Sequence, residues 1–418
     1  MSEPLISQTS SALFTPQDTM HLWWLADPKS PKLIGDLRLA DRNRRVSLTY
    51  DAAWLQEGFA LSEDLPLVRH ELLPPDKDRA AGAVDDARPD RWGERVIRLF
   101  EKPGRLSLME YLYFAGDDRT GALGVSRTRA SYLPYPSGTM PSFDGLDAMA
   151  EVVRKVLANE PVPEMQKRLL RPGASMGGAR PKSIIELDGE PWIIKFSEGE
   201  SLDTPLIEHA SMTLARLSGI NTADTRALAV GGRHAVAIRR FDRVNGGRLH
   251  VLSANVALKA ASEELGYPEL AQLLRRLGEP ARVKAQQEEL FRRMVFNILI
   301  DNTDDHEKNH ALVRTTRGNY QLSPAYDVLP TSQGLRYQQM RVGQAGSEST
   351  LANALSEAQQ FGLTGMQAKV IVKEICLVVD TWRSHFSGLG VIARDLDDLS
   401  AYLDGDFLRG QRARFARS

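Results

Sequence analysis

The stretch NTDDHEKNH, residues 302–310, decides the fold of this chain. It follows the run EELFRRMVFNILI, in which apolar residues recur at helical spacing. A dense polar cluster directly after an apolar helix is typical of a loop that leaves a buried core, and such loops often carry functional residues. Asp304 and Asn309 are therefore the first candidate functional residues.

Asp304 and Asn309 are separated by the interval that joins the catalytic Asp and the metal-binding Asn in the catalytic loop of protein kinases. Asp327, within SPAYDVL, follows a β-like segment, where a second Mg²⁺-binding carboxylate would fall. The alternative is that these side chains only cap helices and turns. Taken together, they favour a phosphoryl-transfer site for ATP and Mg²⁺.

Two segments upstream supply positive charge and backbone amides. GASMGGARPK, residues 173–182, could approach phosphates closely through its glycines, with Arg180 and Lys182 offsetting their charge. The alternative is that this segment is an ordinary flexible turn, because such turns have a similar composition. Lys195 ends the β-run WIIK, and Glu208 opens the next helix, where a lysine-pairing glutamate could lie. A surface lysine and a glutamate stabilised by the helix dipole are the alternative.

The rest of the chain predicts an α+β protein. Short apolar runs between His21 and Tyr50 predict a small β-meander, and residues 88–121 predict two helices. The run SIIELDGEPWIIKF predicts a hairpin around Asp188 and Gly189, and helical patterns dominate from about Ser253 onward. We expect three units: a small subdomain at 1–135, the rest of a β-rich lobe at 136–250, and an all-helical lobe at 251–418.

Composition excludes several classes of protein. The 418 residues carry 53 Lys and Arg against 54 Asp and Glu, so no global charge draws the chain to nucleic acid or membrane. No basic start followed by an apolar run and no membrane-spanning run is present, and we expect a cytoplasmic protein. The only cysteine, Cys376, is predicted to be buried. The arginine-rich end, residues 409–418, is expected to be a solvated tail.

With these residues assembled, the chain resembles the HipA family of bacterial toxin kinases, which have a two-lobed, protein-kinase-like fold. YDAAWL, PLV, RPDRWGERV and GDDRTGALG are similar to the family's N-terminal subdomain. GASMGGARPK, WIIKF, IRRFDR, NTDDHEKNH and PAYDVLP are similar to its phosphate loop, lysine strand, hinge, catalytic loop and second metal motif. Two places depart from the pattern: Arg239 stands where an acidic residue is usual, and HVLSANV replaces an acidic pair after His250.

The resemblance implies a role for each matching residue. Asp304 would be the catalytic base, Asn309 and Asp327 would bind Mg²⁺, and Ser175 would be autophosphorylated. The residues that would contact ATP are Gly177, Gly178, Ala179, Arg180, Pro181, Lys182, Lys195, Arg239, Arg240, Phe241, His306, Glu307, Lys308, Asn309, Tyr326 and Asp327. At the hinge, residues 239–241, the backbone would make the contact.

The resemblance also implies an activity and partners. It points to transfer of the ATP γ-phosphate to a Ser or Thr of a cellular protein, plausibly one related to translation, within a toxin–antitoxin system. It further implies a helix-turn-helix antitoxin of the HipB type, with operator DNA bound only through that antitoxin. Two other functions stay open: a small-molecule or lipid kinase, and a catalytically weak module that acts by binding an antitoxin.

Overall fold

The computed structural model describes residues 14–174 and 178–416. The strands are β1 Thr19–Trp24, β2 Lys32–Ala40, β3 Arg45–Tyr50, β4 Arg79–Ala80, β5 Leu123–Ser126, β6 Lys182–Leu187, β7 Glu190–Lys195, β8 Thr225–Val230, β9 Arg233–Arg239, β10 Arg243–Val244, β11 Gly247–Arg248, β12 Val251–Ser253, β13 Ala311–Arg314 and β14 Tyr320–Leu322. The helices are α1 Ala52–Glu57, α2 Arg91–Phe100, α3 Leu108–Phe114, α4 Leu146–Leu157, α5 Glu164–Lys167, α6 Thr204–Leu217, α7 Ala254–Ala260, α8 Tyr267–Leu277, α9 Val283–Leu299, α10 Leu351–Ser356, α11 Gly365–Val379, α12 Trp382–Gly388, α13 Ala393–Leu403 and α14 Asp406–Ala416. Short 3-10 helices lie at Gly82–Ala87, Gly116–Asp118, Phe143–Gly145 and Ala358–Phe361.

The N-terminal sheet is built on the predicted meander, with strand order β4-β3-β2-β1-β5. Neighbouring strands are antiparallel except β3 and β4, which are parallel. Met20, Leu22, Leu37 and Leu48 point into the core from this sheet and are fully buried. The two predicted helices follow as α2 and α3, so this part of the sequence prediction is confirmed.

A second sheet has the order β6-β7-β9-β8, with every neighbouring pair antiparallel. The predicted hairpin joins β6 to β7, and both turn residues, Asp188 and Gly189, have positive φ, at 53° and 75°. Two positive φ angles characterise the turn whose twist matches that of paired strands, and Gly tolerates them best. α6 packs against β8 and β9 on one face of this sheet. Lys195, at the end of β7, thereby faces α6.

The C-terminal lobe is mainly helical, from α7 to α14, but it is not all-helical as expected. Strands β12, β13 and β14 form a three-stranded antiparallel sheet. The runs HALVRT and NYQL are too short for helices, and pairing with one another and with β12 satisfies their backbone groups. This small sheet positions the site, because the catalytic-loop candidates precede β13 and Asp327 follows β14.

The arginine-rich end is packed, which corrects the expectation of a solvated tail. Residues 406–416 form α14, and Arg412 is 2% exposed. Its guanidinium lies 2.6 Å from Asp380 and 3.1 Å from Asp404, and it also donates to the carbonyl of Leu403 at 2.6 Å. Ion pairs on helical neighbours therefore hold an arginine that the composition alone assigned to solvent. No helix among the described residues is long and apolar enough to cross a membrane.

Candidate active site

The loop between α9 and β13 contains two adjacent carboxylates, Asp304 and Asp305, that differ in burial and in hydrogen bonding. Asp305 is buried and accepts hydrogen bonds from His310 Nε2 at 2.8 Å and from the Tyr267 hydroxyl. Burial alone would raise the pKa of Asp305, but the interaction with His310 outweighs it and holds that pKa below its ordinary value. Asp304 is exposed, and burial of part of its carboxylate raises its pKa. Asp305 thus fastens the loop, and Asp304 faces the cavity.

Asp327 lies just after β14 at the meeting point of the two lobes. Its Oδ1 forms an ion pair with Lys195, and its Oδ2 accepts from the Gly178 N–H at 3.3 Å. Burial would raise the pKa of Asp327, yet the charge of Lys195 outweighs it, so the pKa is well below its ordinary value and the carboxylate stays ionised. The backbone of Asp327 has a φ of 59°, a strained conformation of the kind found at functional sites.

Lys195 is held between two carboxylates. Its ammonium lies 2.7 Å from Glu208 Oε1, on α6, and pairs on its other side with Asp327. Both Lys195 and Glu208 are almost fully buried, at 2% and 1% exposure. Burial lowers the pKa of Lys195, but the two carboxylates outweigh it and raise that pKa above its ordinary value. The lysine is therefore charged and fixed in direction, as a group that receives phosphate must be.

The described part of the glycine-rich segment contributes two residues to the wall of the same cavity. Gly178 and Ala179 line the cavity, and Arg180 is 3.5 Å from Glu200. Lys182 is fully buried, with its ammonium 2.5 Å from Asp90 and 2.6 Å from the carbonyl of Gly178. Ser175 and Gly177 lie outside the described residues. Pro181 supports the segment from behind, because its carbonyl accepts from the Phe196 N–H at 2.9 Å.

Two aromatic rings form an apolar wall on which a flat base could stack. The rings of Phe241 and Tyr326 are stacked with centroids 5.8 Å apart and an interplanar angle of 26°. The Tyr326 hydroxyl donates to the carbonyl of Lys308 at 2.8 Å, which ties this wall to the catalytic-loop candidates. Val251 and Ala311 complete the apolar surface. An apolar slot with a few fixed polar groups is typical of a cofactor pocket.

The first two hinge candidates do not place their side chains in this cavity. Arg239 is exposed and pairs with Glu190 at 2.7 Å on the outside of the sheet. Arg240 is buried, and its guanidinium bonds Asp242 and the carbonyls of Asp118 and Arg119. Only Phe241 of the three lines the cavity. The contact of Arg239 and Arg240 with a nucleotide therefore stays a prediction.

The cavity has a volume of about 1040 Å³, large enough for a nucleotide together with part of a second substrate. Residues of the candidate catalytic loop and of the glycine-rich segment both line it. The predicted residues along its wall are Gly178, Ala179, Phe241, Asp304, His306, Glu307, Lys308 and Tyr326. A further group, Lys77, Arg79, Arg88, Asp90, Arg91 and Glu94, comes from the N-terminal subdomain and was not predicted as part of the site.

The residues suit Mg²⁺ bound together with phosphates. The Oδ1 of Asn309 is buried, and no group of the described chain hydrogen-bonds to it. A buried oxygen without a hydrogen-bond partner lowers the stability of the fold, and a bound cation would supply the missing partner. Asp327 supplies an ionised carboxylate. One amide oxygen and one carboxylate suit Mg²⁺, which commonly takes one or two carboxylates, substrate phosphates and waters rather than a complete protein cage.

Comparison with known proteins follows the same division of the chain. The model of the HipA-like C-terminal domain matches residues 174–382, half of the chain, and the model of the HipA N-terminal domain matches residues 29–126. The chain belongs to the HipA family. These matches confirm the resemblance of this HipA-family chain that its motifs indicated. Helix α2 and Asp90, the residue before it, fall within the matched N-terminal domain.

Curated relatives of this HipA-family chain are named as kinases. The putative kinase Y4dM of Sinorhizobium fredii is 33% identical over 34% of this chain, and the aligned part spans only 38% of that relative's length. The putative kinase Y4mE of the same organism is 27% identical over 92% of this chain and 94% of its own length. The serine/threonine-protein kinase toxin HipA of Shewanella oneidensis is 22% identical over 71% of this chain and 72% of its own length.

A solved structure has the same fold. HipA from Shewanella oneidensis, in a complex with HipB and operator DNA, superposes with a TM-score of 0.65 at 18% identity. The superposition covers 96% of this chain and 99% of that one. The α+β, two-lobed, protein-kinase-like fold class expected from the sequence is thereby confirmed.

Proposed function

We propose that this HipA-family protein is an ATP- and Mg²⁺-dependent protein serine/threonine kinase. The observation that carries the proposal is the position of Lys195, whose buried ammonium bonds Glu208 and Asp327 beside the cavity that Asp304 lines. A lysine paired with a helix glutamate, a metal-binding carboxylate and a separate catalytic carboxylate are the parts that protein-kinase chemistry requires.

Each group has a task that its environment supports. Phe241 and Tyr326 would hold the base, and Lys195 with the glycine loop would hold the phosphates. Asn309 and Asp327 would bind Mg²⁺, which when present offsets phosphate charge. Asp304 orients the acceptor hydroxyl and takes its proton. Because its carboxylate is exposed to the cavity and has a raised pKa, it suits proton acceptance.

Transfer assays with the purified protein test this proposal. We expect label from γ-labelled ATP to appear on Ser or Thr of added proteins, with Mg²⁺ required and with no transfer by Asp304→Ala. Label on small hydroxylated compounds or lipids alone would favour a small-molecule or lipid kinase. Neither transfer nor ATP hydrolysis by the wild type would favour a module that acts by binding. Equal activity in Asp304→Ala would remove the assignment of the base.

The acceptor is proposed to be a cellular protein, plausibly one related to translation. Phosphoproteomics of cells that express the wild type or Asp304→Ala would identify it, because only sites lost in the variant depend on this catalytic group. Ser175 is proposed as an autophosphorylation site. A phosphate there would add negative charge to a loop that is proposed to hold the phosphates of ATP, and it would therefore lower ATP affinity. Mass spectrometry that finds no phosphate within residues 173–182 after incubation with ATP would count against it.

A helix-turn-helix antitoxin of the HipB type is the proposed partner, and operator DNA is proposed to bind only through it. Support comes from the similar fold of the Shewanella oneidensis HipA, which was solved with HipB and operator DNA. Co-expression with a small DNA-binding protein encoded beside this chain tests the pairing. Operator binding by the complex and not by this chain alone is the expected result, and binding by the chain alone would contradict it.

A further inference from the structure

The N-terminal subdomain contacts the glycine-rich loop at both of its ends. At its start, a Cβ on Gly93 of α2 would lie 2.1 Å from the carbonyl oxygen of Pro172, and a Cβ on Gly173 would lie 2.2 Å from that of Ala115. The backbones therefore touch, and only glycine permits this approach. At the other end of the loop, the Trp92 indole N–H donates to the carbonyl of Lys182 at 2.8 Å.

The second of these contacts includes a charge pair in which the lysine side chain is fully buried and the aspartate side chain is 15% exposed. Asp90 is the N-cap of α2, and its Oδ1 accepts from the Gly93 N–H at 2.9 Å. Its other oxygen, Oδ2, lies 2.5 Å from the Lys182 ammonium, which is itself fully buried. One carboxylate thus caps the N-terminus of a helix and fixes a lysine that lies 92 residues further along the chain.

The pair continues into the site through the backbone of Gly178. The Lys182 ammonium donates to the Gly178 carbonyl at 2.6 Å, and the N–H of the same glycine donates to Asp327 Oδ2 at 3.3 Å. A continuous series of polar contacts therefore runs from Asp90 through Lys182 and Gly178 to Asp327. The lysine directs its ammonium at the loop's own backbone, so its position depends on the carboxylate behind it.

We propose that Asp90 is a positioning residue for nucleotide phosphates: it holds Lys182, which holds Gly178 over the cavity. The N-terminal subdomain is then a working part of the nucleotide site. This inference rests on the proposed function in so far as the cavity binds ATP. Asp90 acts through Lys182 and need not touch nucleotide, and its influence is confined to the phosphate end, because Phe241 and Tyr326 form the base wall independently.

Asp90→Asn isolates this effect, because asparagine caps helices as well as aspartate does. Its oxygen keeps the bond to Gly93, and its amide group replaces the oxygen that faced Lys182. Asp51→Asn is the matched control: Asp51 also caps a helix, with Oδ1 2.8 Å from the Ala53 N–H, and pairs with Arg129 through Oδ2, away from the cavity.

Calorimetric titration with Mg²⁺ and a non-hydrolysable ATP analogue, and separately with adenosine, gives the readout. We expect Asp90→Asn to weaken binding of the ATP analogue about tenfold and to leave the affinity for adenosine unchanged. Asp51→Asn should change neither affinity. Equal affinity of Asp90→Asn and wild type for the analogue would overturn the inference, as would a parallel loss for adenosine. A wild type that binds no nucleotide would overturn the proposed function and this inference with it.

The double variant Asp90→Asn with Lys182→Met separates positioning from stability. It leaves no uncompensated buried charge, so its thermal unfolding temperature should lie closer to wild type than that of Asp90→Asn. Affinity for the ATP analogue should stay low, because Gly178 has still lost its donor. Recovery of affinity together with stability would mean that the pair is only structural.

Discussion

Lys195 and Asp327 form an ion pair that joins β7 of the β-rich lobe to the segment after β14 of the C-terminal lobe. Because Glu208 bonds the same ammonium at 2.7 Å, one cation pairs with two carboxylates from different parts of the fold. The lobes therefore meet at a charge that is already oriented before any ligand arrives. Such preorganisation is what electrostatic catalysis requires.

Replacing Lys195 by methionine should reduce both activity and stability. Phosphate transfer should fall at least about 100-fold, because the site loses a fixed positive charge. The free energy of unfolding should fall by roughly 3–5 kcal/mol, because Glu208 is left buried without its partner. Adding Glu208→Gln should restore much of the stability and none of the transfer, as measured by denaturant unfolding and labelled ATP. Restored transfer in this double variant would contradict the assignment of Lys195.

Asp304 and Asp305 are neighbours whose replacement by asparagine should have opposite effects. Within the described chain Asp304 makes no hydrogen bond, so Asp304→Asn should leave the free energy of unfolding within about 0.5 kcal/mol of wild type. Transfer should fall by roughly 10²–10⁴-fold, because the proton acceptor is lost. Asp305→Asn should instead destabilise the loop that His310 and Tyr267 hold. A stable, fully active Asp304→Asn would rule out its catalytic role.

The local parts of this site were predictable and the distant ones were not. The hairpin around Asp188 and Gly189 follows from two turn residues between β-prone runs, and the structure has the positive φ angles that such a turn needs. The catalytic-loop interval from Asp304 to Asn309 is likewise a local feature. The structure then places Asp304 on the cavity wall and leaves the Asn309 oxygen buried without a described partner.

Pairings over long sequence separations left no local signal. The motif RPDRW shows that Asp90 can cap a helix, but nothing near it specifies Lys182 as its partner. The same holds for Arg240, whose guanidinium reaches the carbonyls of Asp118 and Arg119 across more than a hundred residues. Periodicity and capping rules describe single elements, whereas these contacts depend on how elements pack. The N-terminal wall of the cavity was missed for that reason.

Asn309→Ala should change the metal requirement more than the fold. Its buried Oδ1 has no hydrogen-bond partner among the described residues, so its removal should cost little stability. The Mg²⁺ concentration for half-maximal transfer should rise about tenfold or more, because a ligand is lost. Asn353→Ala is the control, since Asn353 bonds the carbonyls of Gly346 and Glu348 away from the cavity. That variant should be less stable and keep the wild-type Mg²⁺ dependence.

His250 should make the stability of the protein depend on pH. Its Nε2 bonds the carbonyl of Leu61 at 2.9 Å, and its ring packs against Trp24 and Phe59. Burial, and to a lesser degree the charge of Arg314, lowers the pKa of His250 from 6.5 to about 4. Between these values the unfolded chain binds a proton that the folded protein does not, so the free energy of unfolding falls as pH decreases through this window.

The size of this effect is measured as a difference between the wild type and His250→Gln. The two differ most at neutral pH, and the gap in the free energy of unfolding should narrow by roughly 3 kcal/mol as pH falls from about 6.5 to about 4. Below about pH 4, His250 of the wild type is protonated in both the folded and the unfolded state. The difference in the free energy of unfolding between wild type and His250→Gln should then stay constant. Other titrating groups cancel in the difference. A constant gap for His250→Gln would mean that His250 binds its proton as readily in the folded protein as in the unfolded chain.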